Sequence, residues 1–125
     1  MKMEQQDAAP EKPLYWMGTS RKDLRGFPDL VKREMGYGLY LAQKGEKHPN
    51  AKPLKGYHGA GVLEIVEDFD GMTYRAVYTL KLKGTVYVLH AFQKKSKKGK
   101  ATPKHEVHLI DVRVRQALRH YSDME

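Results

Sequence analysis

The sequence predicts a single α+β domain on three observations. Apolar residues alternate with a period of two through Val62–Phe69, Thr73–Leu82 and Thr85–Gln93, the pattern of half-buried strands. Apolar residues recur at helical spacing in two other stretches, Val31 to Ala42 and Val107 to Tyr121. The resulting order is strand, two helices, three strands and a helix, with no internal repeat.

Each element has a local reason. Residues 1–13 are polar, hold two prolines and offer nothing to bury, so they read as a disordered arm before a domain spanning 14–125. Leu14-Tyr15-Trp16-Met17 is the first strand. Ser20 is placed to cap a short helix from Arg21 to Gly26. Pro28 opens a longer helix to Gln43, which Gly45 ends. Val31, Met35, Gly38, Leu39 and Ala42 form its buried face. Gly36 and Gly38 each cost about 1 kcal/mol in a helix interior, so they either interrupt the helix or mark close packing on the sheet. The segment 48–61, rich in proline and glycine, reads as a connecting loop. Asp70-Gly71 turns the first meander strand into the second, and Lys83-Gly84 turns the second into the third. Thr102 caps the last helix, with Pro103 in its first turn and Glu106 at the positive end of its dipole.

Composition narrows the chemistry. The 125 residues carry 23 Lys and Arg against 15 Asp and Glu, a net charge of +8. That balance favours a polyanion or an acidic protein. There is no cysteine, which excludes disulfides, thiolate metal sites and cysteine nucleophiles. The N-terminus has no apolar core for a signal peptide, and no run reaches membrane-spanning length, so the expected setting is the cytoplasm.

The densest signal is VYVLHAFQKKSKKGKATP, residues 86–103. Lys94, Lys95, Lys97, Lys98, Lys100 and Lys104 fall in a segment with no acid, tied to a strand on one side and a capped helix on the other. Lysines anchored at both ends suit the phosphates of RNA and give salt-dependent binding. Phe92 is a candidate base platform or a core residue. Lys52 and Lys55 add to the basic surface. Arg75 lies mid-strand, read either as a solvated outer residue or as a fork that grips phosphate. His90 shares a strand face with Phe92 and Lys94; it is a satisfied buried histidine or a general acid or base. His105 and His108 lie three apart on a helix, but no HExxH and no completing carboxylate accompany them, so no metal and no cofactor are expected. The glycines of GYHGAG precede a strand and no GK[ST] follows, which excludes a nucleotide-binding loop.

The motifs WMGTSRKDLRGFP, AKPLKG, GVLEI, TYRAVY, VYVLHAFQKKSKK and TPK occur in that order. Together they resemble the HigB branch of the RelE-like toxin superfamily, including its phage-derived members, over roughly residues 14 to 120. The resemblance implies a curved antiparallel sheet with helices packed on one face. It also implies the toxin of a type II toxin–antitoxin module, an mRNA endoribonuclease acting at the ribosome with a helix-turn-helix antitoxin (HigA-like) as partner. On it, Arg75 matches the phosphate-stabilising arginine and Lys94 and Lys95 the basic residues of the active groove. His90 is the proton-transfer candidate, and Lys97 and Lys98 hold RNA more loosely. RNA supplies its own 2′-hydroxyl nucleophile, so the chemistry needs no metal. Two departures stand out. Classical RelE members carry lysines on the strand matching Val62–Phe69, where this chain has Glu64 and Val66, and their C-terminal tyrosine has no clear counterpart. The alternative is a non-enzymatic, phage-derived nucleic-acid-binding or regulatory protein.

Overall fold

The computed structural model describes residues 11–56, 61–82, 84–95 and 102–124. Its five strands are β1 (Leu14–Trp16), β2 (Ala51–Pro53), β3 (Val62–Phe69), β4 (Met72–Thr79) and β5 (Val86–Lys95), and its three helices are α1 (Ser20–Arg25), α2 (Asp29–Gln43) and α3 (Lys104–Met124). One sheet runs in the order β1-β5-β4-β3-β2. The α+β class predicted from sequence holds.

Three details depart from expectation. The sheet is mixed, because β1 pairs parallel to β5 with Leu14 opposite Val86. Helices cover both faces. α1 and α2 bury Leu24, Phe27, Val31, Met35 and Leu39 against Ile65, Ala76, Tyr78 and Val88. α3 buries Ile110 and Ala117 against Val77, Tyr87, Leu89 and Phe92 on the other face. The period-two alternation feeds both layers, so β4 and β5 are apolar on each side. The segment expected as a loop from 48 to 61 contains β2, which pairs antiparallel with β3, Ala51 opposite Ile65. Pro53 is tolerated there because an edge strand needs ladder bonds on one side only. Residues 57–60 lie outside the described residues.

The turns explain the register. Asp70 and Gly71 have φ of 53° and 78°, the paired left-handed conformation of a two-residue hairpin, and they set Phe69 opposite Met72. At the end of α2, Glu46 N–H bonds to Leu41 O and Gly45 N–H to Ala42 O, a Schellman closure that requires the +83° φ of Gly45. Gly38 packs tightly, since a Cβ there would come within 2.6 Å of Ile65 Cδ1, whereas Gly36 faces open space. α2 is therefore unbroken.

Two caps differ from expectation. Ser20 is fully buried and its Oγ donates to Val88 O at 3.2 Å, tying α1 to β5. Thr19 takes the N-cap position, and its hydroxyl donates to Asp23 Oδ2 at 2.7 Å. In α3 the carbonyl of Pro103 accepts from Glu106 and Val107 N–H, so Pro103 precedes the helix. Two residues of the expected arm, Lys12 and Pro13, make backbone contacts with the domain. Lys12 N–H bonds to Gln43 O, Gln43 Nε2 bonds back to Lys12 O, and Pro13 O accepts from Val86. Residues 1–10 of that arm lie outside the described residues.

One irregularity positions the site. Val77 pairs with His90 but Tyr78 pairs with Val88, so Leu89 is an extra residue in β5. This bulge turns Leu89 and His90 toward the same face of the sheet, the one covered by α3.

Candidate functional site

Beyond the bulge, alternation places three rows of residues on the α3 face. Lys52, Glu64, Val77 and His90 are successive partners in the first row. Val66, Arg75 and Phe92 form the second, and Asp68, Thr73 and Lys94 the third. Arg75 sits at the centre of this surface. Five of the predicted site residues, Lys52, Arg75, His90, Phe92 and Lys94, thus share one face.

Arg75 is not the solvated outer residue its strand pattern allows. Its Nη1 donates to Glu64 Oε1 at 2.8 Å, with side chains 12% and 5% exposed. Each charge is stabilised by the other, since neither could be buried alone without a cost of several kcal/mol. Glu64 is the residue that holds the arginine. Arg75 Nε is buried and has no hydrogen-bond partner among the described residues. The guanidinium thus has one donor pinned to Glu64 and another enclosed, so an incoming acceptor oxygen could meet only those N–H groups that are not buried.

His90 belongs to a buried network with α3. Its Nε2 lies 2.5 Å from Glu106 Oε1, and its Nδ1 lies 3.0 Å from Arg113 Nη1. Arginine can only donate, so Nδ1 is the acceptor and a neutral His90 carries its proton on Nε2, aimed at the carboxylate. Arg113 Nη1 also donates to Leu89 O at 3.0 Å, the carbonyl of the bulge residue. The guanidinium lies against Gly18, where φ is +54° and a Cβ would come within 2.5 Å of Arg113 Nε. Glu106 Oε2 meets the exposed His105 at 3.3 Å. The His90 ring stacks on Phe92 with centroids 5.0 Å apart. Both ring nitrogens of His90 are therefore engaged inside the protein.

A cleft of about 350 Å³ opens beside this network, lined by Asp23, Gly26, Phe27, residues 90–93 and Glu106. It lies where β1 has ended at Trp16, opposite Val88, and β5 continues alone on that side. None of the predicted lysine and arginine residues is among those lining residues. Lys94 is half-buried, opposite Thr73, and Lys95 is in register with Met72. Lys52 and Lys55 are exposed, toward the β2 edge. Lys97, Lys98 and Lys100 fall outside the described residues.

Residues 22–115 match the family of phage-derived Gp49-like proteins (DUF891). This chain is a Gp49-like protein. No curated protein matches it. Among solved structures it is similar to a chain of the toxin–antitoxin complex RelBE2 from Mycobacterium tuberculosis, at 21% identity and a TM-score of 0.46. That similarity covers 69% of this chain and 94% of the other.

Two residues that sequence reasoning did not place beside His90 join its network in this Gp49-like protein. Glu106 and Arg113 are seven apart on α3 and so share a face, flanking the apolar stripe through Ile110 and Ala117. An arginine in register with buried positions was the available signal, because it requires an acceptor in the core. Its acceptors, His90 and Leu89 O, are set by the bulge.

A second cluster tests for a metal. Glu34, His48 and Glu67 bring their ligand atoms within 4.8 Å of one another. Asn50 N–H donates to His48 Nδ1 at 3.0 Å, and Nε2 lies 2.9 Å from Glu34 Oε1. The amide forces the histidine proton onto Nε2, where a metal would need a lone pair. These residues do not fit a metal; they clamp α2 to the start of β2. The exposed His105 and His108 stand apart from this cluster. No helix among the described residues is long and apolar enough to cross a membrane.

Proposed function

We propose that this Gp49-like protein is the toxin of a type II toxin–antitoxin module and a metal-independent endoribonuclease that cuts mRNA. The observation that carries this reading is the setting of Arg75. It lies at the centre of a sheet face, held by Glu64, with the rows of His90 and Lys94 on either side. The ordered motifs resembling the HigB branch support the same conclusion.

In this reading the 2′-hydroxyl of the substrate attacks the adjacent phosphate. Its proton passes to the Glu106–His90 pair at the cleft, in which His90 Nε2–H holds the carboxylate. Arg75 stabilises the charge that builds on the phosphorane. Lys94 and Lys95 hold the phosphate, and an ammonium there protonates the departing 5′-oxygen. The products are a 2′,3′-cyclic phosphate and a 5′-hydroxyl. Lys52, Lys55, Lys97 and Lys98 hold the RNA or the ribosome through charge, and Phe92 offers a ring to a base. The protein acts in the cytoplasm, on ribosome-bound message, and is restrained by a helix-turn-helix antitoxin.

The test is incubation of the purified protein with programmed ribosomes and mRNA in the presence of a chelator, followed by analysis of the RNA ends. Cleavage with cyclic phosphate termini is expected, and loss of cleavage in Arg75→Lys. One observation favours a second reading, a nucleic-acid-binding protein without catalysis: Glu64 neutralises Arg75 at 2.8 Å. Binding to ribosomes or RNA without cleavage would establish that reading and overturn the first.

A further inference from the structure

α2 presents to solvent a stripe that the fold does not use. Leu30, Tyr37 and Tyr40 are 57%, 52% and 44% exposed. Arg33 and Gly36 are exposed among them, and Asp29 stands at one end with a side chain 90% exposed. At about 100° per residue these positions, with Lys44, lie on the side of the helix opposite Val31, Met35, Leu39 and Ala42.

Gly36 is the telling residue. Glycine in a helix interior costs about 1 kcal/mol relative to alanine. Gly38 repays that cost by admitting Ile65, but a Cβ on Gly36 would meet nothing within 4 Å. Nothing among the described residues calls for glycine at this place. A bare spot beside an exposed tyrosine is what a second helix needs in order to approach closely and receive a knob.

We propose that two copies of this chain associate through α2, antiparallel, about a two-fold axis passing between Gly36 and Tyr37. The sequence of the stripe is self-complementary in that register. Tyr37 of each copy rests over Gly36 of the other. Arg33 faces Tyr40, cation over ring. Asp29 faces Lys44, opposite charges at the ends of the contact. Every pair occurs twice, as an isologous interface requires. The seam also falls on the centre of the exposed face, directly away from the core side of α2. A single helix pair buries less than the ~1,200 Å² of a standard interface, and a net charge of +8 on each copy opposes association. The dimer is accordingly weak, with a dissociation constant on the order of tens of micromolar, and it tightens with added salt.

Sedimentation equilibrium of the full chain between about 1 and 500 µM tests this. The average mass is expected to rise from the 14.4 kDa of the monomer toward twice that value. Gly36→Lys should remain monomeric throughout while its circular dichroism and melting temperature show an intact fold. Asp29→Lys should weaken association at least tenfold, and Asp29→Lys with Lys44→Asp should restore it. A wild-type monomer at every concentration would overturn the proposal, as would self-association unaffected by Gly36→Lys. A monomer whose binding to another protein is abolished by Gly36→Lys would assign the stripe to that protein and overturn it equally.

Discussion

Arg113 Nη1 donates to His90 Nδ1 at 3.0 Å, and that bond decides which nitrogen of the imidazole carries the proton. Because the arginine is always charged and only donates, His90 is held as the Nε2–H tautomer facing Glu106. Long-range proton–nitrogen NMR correlations should find Nδ1 unprotonated and Nε2 protonated at neutral pH. Arg113→Met, which removes the donor to His90 and to Leu89 O, should destabilise the protein by about 2–4 kcal/mol in denaturant unfolding and release the tautomer.

Gly18 tests the same network from the other side. A methyl group there would collide with the Arg113 guanidinium, in a backbone conformation at φ +54° that L-residues rarely adopt. Gly18→Ala should therefore lower stability by about 1–3 kcal/mol and shift the His90 resonances.

The pairing of Arg75 with Glu64 changes which substitution is informative. Arg75→Ala strands a carboxylate whose side chain is 5% exposed, at a cost of about 3–5 kcal/mol. Its loss of growth inhibition would then mix folding with function. Arg75→Lys keeps the charge on Glu64 but lacks the planar fork. It should retain the fold by circular dichroism and lose cleavage by at least tenfold, measured on programmed ribosomes.

The two glycines of α2 should respond oppositely in dilute solution. Gly36→Ala adds a Cβ into open space and should stabilise by roughly 1 kcal/mol. At Gly38 the added Cβ meets Ile65 Cδ1 at 2.6 Å, and Ile65 is fully buried. Gly38→Ala should destabilise by about 1–2 kcal/mol despite the same gain in helix propensity. Urea unfolding of both variants measures the difference.

Burial pushes the Tyr78 hydroxyl from its ordinary 10.0 up to about 12. The folded state thus keeps a proton that the unfolded chain releases first. Its contribution to stability is complete below pH 10 and is lost as pH rises toward 12. Stability measured across that window should fall, and Tyr78→Phe should fall less steeply.

Much of the fold was legible because local signals agreed with the tertiary arrangement. Val62–Phe69 alternates, Asp70-Gly71 demands a two-residue hairpin, and the register follows from those two facts. β2 was not legible: Pro49 and Pro53 read as breakers, and only the presence of β3 beside it makes Ala51–Pro53 a strand. The parallel pairing of β1 likewise depends on a partner seventy residues away. In the site, alternation correctly placed His90, Phe92 and Lys94 on one face. It could not name Glu64 as the partner of Arg75, because a diagonal contact across two strands depends on side-chain reach. Ser20 shows the converse, a good capping residue drawn into the core by Val88 O.

The bulge at Leu89 has a consequence for how β5 divides its duties. Counting by twos from Val86 and Val88 would send His90, Phe92 and Lys94 toward α1 and α2 and leave odd-numbered residues on the face of Arg75. One surplus residue reverses that parity for the rest of the strand. β5 is thus two strands end to end. The first three residues anchor β1, and the last six carry the candidate site residues, in opposite phase. Of the two adjacent lysines at its end, that phase is what puts Lys94, rather than Lys95, in line with Arg75.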